Sequence, residues 1–132
     1  MPKQKRILVI EDDVYIRDLY AEVLTTEGYV VESAVDGEEG LVKAKMGGYD
    51  LILLDVMMPK LDGLGVLQGL QKNPPQNPNG RIVLLTNLAQ NEVVGEALKI
   101  GANDFIIKSD LNPDQLLLRI KSLFEKSGKN YF

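Results

Sequence analysis

The chain has no cysteine and no histidine among its 132 residues. Without cysteine it can form neither a disulfide nor a thiolate zinc site. Without histidine it has no imidazole general base, no nitrogen metal ligand of the commonest kind and no triad built on imidazole. Any metal is left to oxygen ligands, which favours magnesium, calcium or manganese. A long apolar run is also missing. Nothing approaches the roughly 20 residues of a membrane span and the start lacks a signal-peptide core, so a cytoplasmic protein with no membrane partner is expected. Positive charge is not in excess either. The net charge of −4 argues against direct nucleic acid binding, and the short basic start from Lys3 to Arg6 reads as a solvated lead-in. The rest is ordinary for one domain: 45% apolar and 26% charged residues, in a length that buries roughly two thirds of its unfolded surface.

Short apolar runs alternate five times with helix-period segments. Strands are expected over residues 6–10, 29–33, 51–54, 81–85 and 104–107. Four of them are continuously apolar, as for strands covered on both faces, and the second carries Glu32 and Ser33, which places it at an edge. Ile16, Leu19, Tyr20, Val23 and Leu24 form the stripe of a first helix closed by Gly28. Asp36 with Glu39 resembles a capping box for a helix stopping at Gly47-Gly48. Asp62 opens a third helix with Leu64, Leu67 and Leu70 inward, and Val93, Val94, Ala97 and Leu98 stripe a fourth that ends at Gly101. Asn112-Pro113-Asp114-Gln115 starts a fifth, with Leu116, Leu117, Ile120, Leu123 and Phe124 inward. The segment from Asn73 to Gly80, with three prolines, is a structural loop on the sheet edge away from the site. The alternation implies an α/β, doubly wound, flavodoxin-like (βα)5 fold with a five-stranded parallel sheet. In the order 2-1-3-4-5, the binding crevice lies between the carboxyl ends of strands one and three.

Glu11-Asp12-Asp13 and Asp55 come directly after those two strands. Carboxylates about 5 Å apart repel by roughly 3 kcal/mol at an effective dielectric near 20, so the cluster calls for a cation or a proton. A hard divalent cation such as magnesium fits, since it takes one or two carboxylates, waters and phosphate oxygens. Helix capping is the other reading of Glu11-Asp12-Asp13, and Asp13 belongs to it. Asp55 has no helix directly after it to cap.

The pattern Ile7-Leu-Val-Ile-Glu11-Asp12-Asp13, then Asp55-Val-Met-Met-Pro59-Lys-Leu-Asp62-Gly63, then Thr86, then Lys108, resembles the receiver domain of two-component response regulators. The likeness covers residues 5–126, with 1–4 and 127–132 as tails. It implies that Asp55 accepts a phosphoryl group from a phosphohistidine on a sensor histidine kinase or histidine phosphotransfer protein. It also implies magnesium, or manganese, held by the carboxylates of Asp12 and Asp55 and the backbone carbonyl of Met57, with Glu11 holding metal-bound water. Lys108 and Thr86 would stabilise the phosphoryl group. Thr86 and Phe105 would form the switch, acting on a downstream effector or a homodimer through the fourth helix, fifth strand and fifth helix. Such a domain is a signalling module and not a turnover enzyme.

Several positions depart from the usual pattern. Asn87 stands where a small residue is usual, Ser109 replaces the proline after the lysine, and Phe105 has no hydroxyl. A trans Lys108–Ser109 bond is expected, because a cis non-proline bond costs about 3 kcal/mol; this leaves the aim of Lys108 open. Phe105 is either a mobile switch or a fixed core residue. Met57 and Leu88 offer no group to orient a hydrolytic water, so slow self-dephosphorylation is expected. Three alternatives remain: an aspartyl phosphatase, which lacks a second acid at Val56 or Met57; a nucleotide or flavin site, which lacks a glycine-rich loop; and a constitutive interaction module of the same fold.

Overall fold

The computed structural model describes residues 4–87, 91–110 and 112–129. Five strands and five helices alternate: β1 (Arg6–Ile10), α1 (Val14–Thr26), β2 (Val30–Ala34), α2 (Gly37–Met46), β3 (Leu51–Asp55), α3 (Gly63–Lys72), β4 (Arg81–Thr86), α4 (Asn91–Ile100), β5 (Asp104–Ile107) and α5 (Pro113–Lys129). All strand pairs are parallel, in the order β2-β1-β3-β4-β5. This is the doubly wound arrangement expected from the alternation. Among the described residues no helix is long and apolar enough to cross a membrane.

The two-residue period of the strands divides the core in two. Ile7, Val9, Leu51, Leu53, Val83, Leu85 and Ile106 face α1 and α5, where they meet Tyr20, Leu24, Leu116, Ile120 and Leu123. Leu8, Ile10, Ile52, Leu54 and Leu84 face the other way, onto Ala44, Val66, Leu67, Leu70, Val94 and Ala97 of α2, α3 and α4. Both faces of β1, β3 and β4 are covered, which is why these strands read as unbroken apolar runs.

Local differences have local causes. β2 starts at Val30, because the Tyr29 amide is taken by Leu24 O at 3.1 Å to close α1 after Gly28, whose φ is +103°. β3 and β4 run one residue further than expected and include Asp55 and Thr86, which pair with Leu85 and Ile107. Leu19 is 42% exposed and not in the core, as α1 packs through Tyr20 and Leu24 and leaves its neighbour on the flank. Leu98 of α4 is likewise exposed, beside the buried pair Val94 and Ala97. Asp36 does cap α2 through the Glu39 amide (2.9 Å), but Glu39 reaches back to Val35 N (2.7 Å), one residue earlier than a capping box requires. The reciprocal box is found at α5, where Asn112 and Gln115 exchange bonds of 2.8 and 2.9 Å.

The proline-rich loop is structural, at the amino ends of the strands. Asn79 bonds Ala44 O (2.9 Å) and Tyr49 N (3.1 Å), and Gly80 N bonds Tyr49 O (2.7 Å). The opposite, carboxyl ends are free for the site.

Candidate functional site: an acidic pocket at the carboxyl edge

β1 and β3 are neighbours, so the residues just past their carboxyl ends meet at one edge. Glu11 is fully buried, Asp55 is 3% exposed, and Asp12 is exposed. Carboxylate oxygens of the three lie within 4.8 Å of one another. Lys108, from the end of β5, reaches both buried acids. Its Nζ is 2.8 Å from Glu11 Oε1 and 3.1 Å from Asp55 Oδ1. The alternation of the strands explains this convergence. Glu11 continues the side of Ile7 and Val9, Asp55 that of Leu51 and Leu53, and Lys108 that of Ile106, all toward α1 and α5.

The backbone after β3 is shaped to leave Asp55 at a sharp turn. Met57 N donates to Asp55 Oδ1 at 3.3 Å, Val56 N to Leu85 O at 3.1 Å and Gly63 N to Val56 O at 2.9 Å. A Cβ on Gly63 would lie 2.9 Å from Asp55 O and 3.0 Å from Val56 Cα, so glycine is needed for this close approach. Asp62 caps α3 through Gly65 N at 2.8 Å, and Asp13 caps α1 through Tyr15 N and Ile16 N at 2.9 and 3.2 Å.

The charges are not balanced. Three carboxylates face one ammonium, and at 4.8 Å each carboxylate pair repels by about 3 kcal/mol. Burial, followed by the nearby Glu11 carboxylate, pushes the Asp55 carboxyl up to about 8, against the opposing pull of Lys108. Burial works against the charge on Lys108, but its pairing with Glu11 and Asp55 outweighs this and raises its pKa. Glu11 Oε2 accepts from Asp13 N at 3.1 Å. Glu11 Oε1 is buried, and the Lys108 ammonium at 2.8 Å is its ion-pair partner. An all-oxygen donor set of three acids facing one ammonium fits a hard divalent cation.

The remaining expected residues are placed less directly. Thr86 is buried at the end of β4, and its hydroxyl donates to Asn87 O at 3.1 Å, a local backbone bond. It continues the side of Leu84, the face opposite to that of Asp55. Phe105 is 38% exposed and so is not a fixed core residue. The Met57 side chain is exposed, and Leu88 lies outside the described residues. No described peptide bond is cis, so Lys108–Ser109 is trans, and Lys108 still reaches both acids from a single 3-10 turn over Lys108–Asp110. Two residues were not anticipated. Tyr20 is buried on the same face, where burial raises its pKa and the charges of Lys108, Glu11 and Asp55 reach it. Arg17 donates from Nη1 to Glu11 O (2.9 Å) and Asp12 O (3.4 Å). The only trace of Arg17 in the sequence is that it is the sole basic residue of α1.

The family model for the response regulator receiver domain matches residues 7–121. The chain is similar to the chemotaxis protein CheY of Treponema pallidum, 35% identical over 123 residues covering 91% of this chain and 83% of that protein. It is also similar to the probable transcriptional regulator ycf27 of Cyanophora paradoxa, 39% identical over 94% of this chain, and spans only 50% of that protein's length. Among solved structures, a CheY-like receiver domain protein from Methanospirillum hungatei JF-1 superposes with a TM-score of 0.83, at 32% identity, over 98% of this chain and all of that one. CheY in a CheX-CheY-BeF3-Mg+2 complex from Borrelia burgdorferi gives a TM-score of 0.76 at 29% identity, over 91% of this chain and 89% of that one.

Proposed function

The chain belongs to the response regulator receiver domain family, and we propose that Asp55 is its phosphoacceptor, within a domain spanning residues 5–126. The observation that carries this reading is the pocket itself. One carboxylate ends a central strand with a lysine at 3.1 Å and two further acids within 4.8 Å, at the edge where doubly wound sheets bind ligands. An Asp55 oxygen attacks the phosphorus of a phosphohistidine. The O–P bond forms as the P–N bond breaks, and the electron pair stays with the imidazole of the partner, a sensor histidine kinase or phosphotransfer protein. The absence of histidine from this chain is therefore no obstacle.

Glu11, Asp12, Asp55 and the Met57 carbonyl would hold the magnesium ion, which supplies charge neutralisation for the incoming phosphoryl oxygens. The Borrelia relative is itself in a complex with BeF3 and Mg+2. Lys108, already paired with Asp55, is placed to follow the charge as it moves onto the phosphoryl oxygens. Release of the Thr86 hydroxyl from Asn87 O would let it donate to the same group.

Output is assigned to α4, β5 and α5. Leu98, Phe105 and Leu118 are exposed there at 39%, 38% and 66%, and Asp104 pairs with Arg119 at 3.1 Å. Phosphorylation would change association of this face with an effector or a second copy. Mass spectrometry after incubation with acetyl phosphate and magnesium tests the acceptor. One phosphoryl group should be gained by the native chain and none by Asp55→Asn. Equal gain in both overturns the assignment. With no acid or amide at Met57, loss of the phosphoryl group without a phosphatase should be slow, and rapid loss would contradict that part of the reading.

A further inference from the structure

The turn between β1 and α1 carries three consecutive carboxylates, Glu11, Asp12 and Asp13, and has few internal means of holding its shape. The Glu11 amide reaches Ala34 O at 3.2 Å, the Asp13 amide reaches the Glu11 carboxylate at 3.1 Å, and Asp13 O accepts the first α1 bond from Arg17 N at 2.9 Å. The carbonyls of Glu11 and Asp12 are the ones met by a side chain. Arg17 Nη1 donates to both, at 2.9 and 3.4 Å.

We propose that Arg17 is a positioning residue for the divalent-cation site: its guanidinium ties the backbone of residues 11 and 12 to α1, so that the Glu11 and Asp12 carboxylates converge on Asp55. The proposal rests on the reading that these three acids hold the cation. Lys108 offsets part of the repulsion by pairing with Glu11 and Asp55, and what remains among acids within 4.8 Å would be relieved by opening of the turn at residue 12 if Arg17 did not hold it. α1 cannot follow such a movement. It is capped by Asp13 and seated on the sheet by the buried side chains of Tyr20 and Leu24. Arg17 therefore connects a turn under electrostatic stress to a rigid element, and it touches the backbone of the ligands rather than the ion.

The charge of Arg17 gives the opposing expectation. A cationic side chain beside a cation site weakens cation binding if its charge matters more than its bonds. The two accounts predict opposite signs, so a magnesium titration separates them. The full chain, without a phosphodonor, is titrated with magnesium by calorimetry, alongside Arg17→Ala, Arg17→Met and Arg17→Lys. Arg17→Met keeps an apolar stem and guards against loss of fold, which circular dichroism checks directly.

If Arg17 positions the ligands, Arg17→Ala and Arg17→Met bind magnesium about tenfold more weakly, the usual scale for residues supporting metal ligands. Arg17→Lys, which keeps a donor, recovers part of the loss. At saturating magnesium the rate of phosphorylation by acetyl phosphate in Arg17→Met returns to within about twofold of native, so the defect lies in the magnesium dependence alone. Tighter binding in Arg17→Ala and Arg17→Met overturns the proposal in favour of charge repulsion. Unchanged affinity with lowered thermal stability also overturns it and leaves Arg17 a purely structural role. A native chain that takes up no magnesium overturns the cation reading itself, together with this inference.

Discussion

Replacing Asp55 by asparagine should stabilise the metal-free protein at neutral pH. The carboxyl of Asp55 is 3% exposed and pushed up to about 8, chiefly by burial and then by Glu11. An aspartate in the unfolded chain titrates near 3.9. Between those values the folded state holds a proton that the unfolded state has lost. The slope of stability with pH from this group is therefore negative, and its contribution is lost as pH rises from about 4 to about 8. At pH 7 the cost cannot exceed the work of protonating an ordinary aspartate there, about 4 kcal/mol. The value of about 8 already includes the pull of Lys108, and the asparagine amide must itself be buried, so a gain of about 2 kcal/mol is expected for Asp55→Asn. The amide keeps the shape of the side chain and an acceptor for the bond from Met57 N.

Thermal unfolding in EDTA, followed by circular dichroism across pH, tests this. For a chain of this length about 2 kcal/mol corresponds to roughly 8 °C in Tm. The variant should lead at pH 7 by that margin, the gap should close as pH falls toward 4, and it should level off above 8. Magnesium should raise the native Tm more than that of the variant, since ligand at a hundred times its Kd adds about 2.7 kcal/mol. A variant no more stable than native at pH 7 in EDTA would show that the Lys108 pairing outweighs burial, and the reasoning would be wrong.

Lys108→Ala leaves the buried Glu11 carboxylate without a cation beside a protonated Asp55, so metal-free stability at pH 7 should fall by about 3–5 kcal/mol. The deficit should widen above pH 8, where Asp55 loses its proton in the native chain but keeps it without the pull of Lys108, and a deficit that does not grow there would contradict it. Gly63→Ala puts a Cβ 2.9 Å from Asp55 O and should cost about 1–3 kcal/mol in urea unfolding, while slowing phosphorylation by moving Asp55. Tyr49→Phe removes the 3.0 Å bond to Glu32 at the far end of the sheet and should cost about 1 kcal/mol, with phosphorylation unchanged.

The fold was legible because the strands covered on both faces leave an unmistakable apolar signature, and because the caps Asp13, Asp36, Asp62 and Asn112 sit where their helices start. Glu11, Asp12, Asp55 and Lys108 were legible for a related reason. Each lies at or just past the end of an apolar strand, and topology alone brings those ends together. What escaped was everything set by side-chain direction within a helix or loop. Leu19 and Leu98 fit an apolar stripe yet lie on its flank. Arg17 reaches back six and five residues, a spacing outside the usual helix pairs. The Thr86 hydroxyl, expected to serve the phosphoryl group, is held by the neighbouring Asn87 O.

Strand alternation also places Asp55 and Thr86 on opposite sides of the sheet. Glu11, Asp55 and Lys108 continue the sides of residues that face α1 and α5, whereas Thr86 continues the side of Leu84, toward α2, α3 and α4. Phe105 pairs with Leu84 across β4 and β5, and its neighbour Ile106 faces α1 and α5, so Phe105 stands on the Thr86 side. Between these faces lie close-packed aliphatic side chains with 0% exposure. At the carboxyl edge Thr86 adjoins β3 beside the Asp55–Leu85 pairing, a short route from one face to the other. A phosphoryl group on Asp55 adds oxygens at that edge, which the carboxylate alone does not present. Thr86 would exchange a neutral bond to Asn87 O for a stronger one to a charged acceptor. On the proposed reading, the step from chemistry to output would depend on which of two acceptors one buried hydroxyl serves.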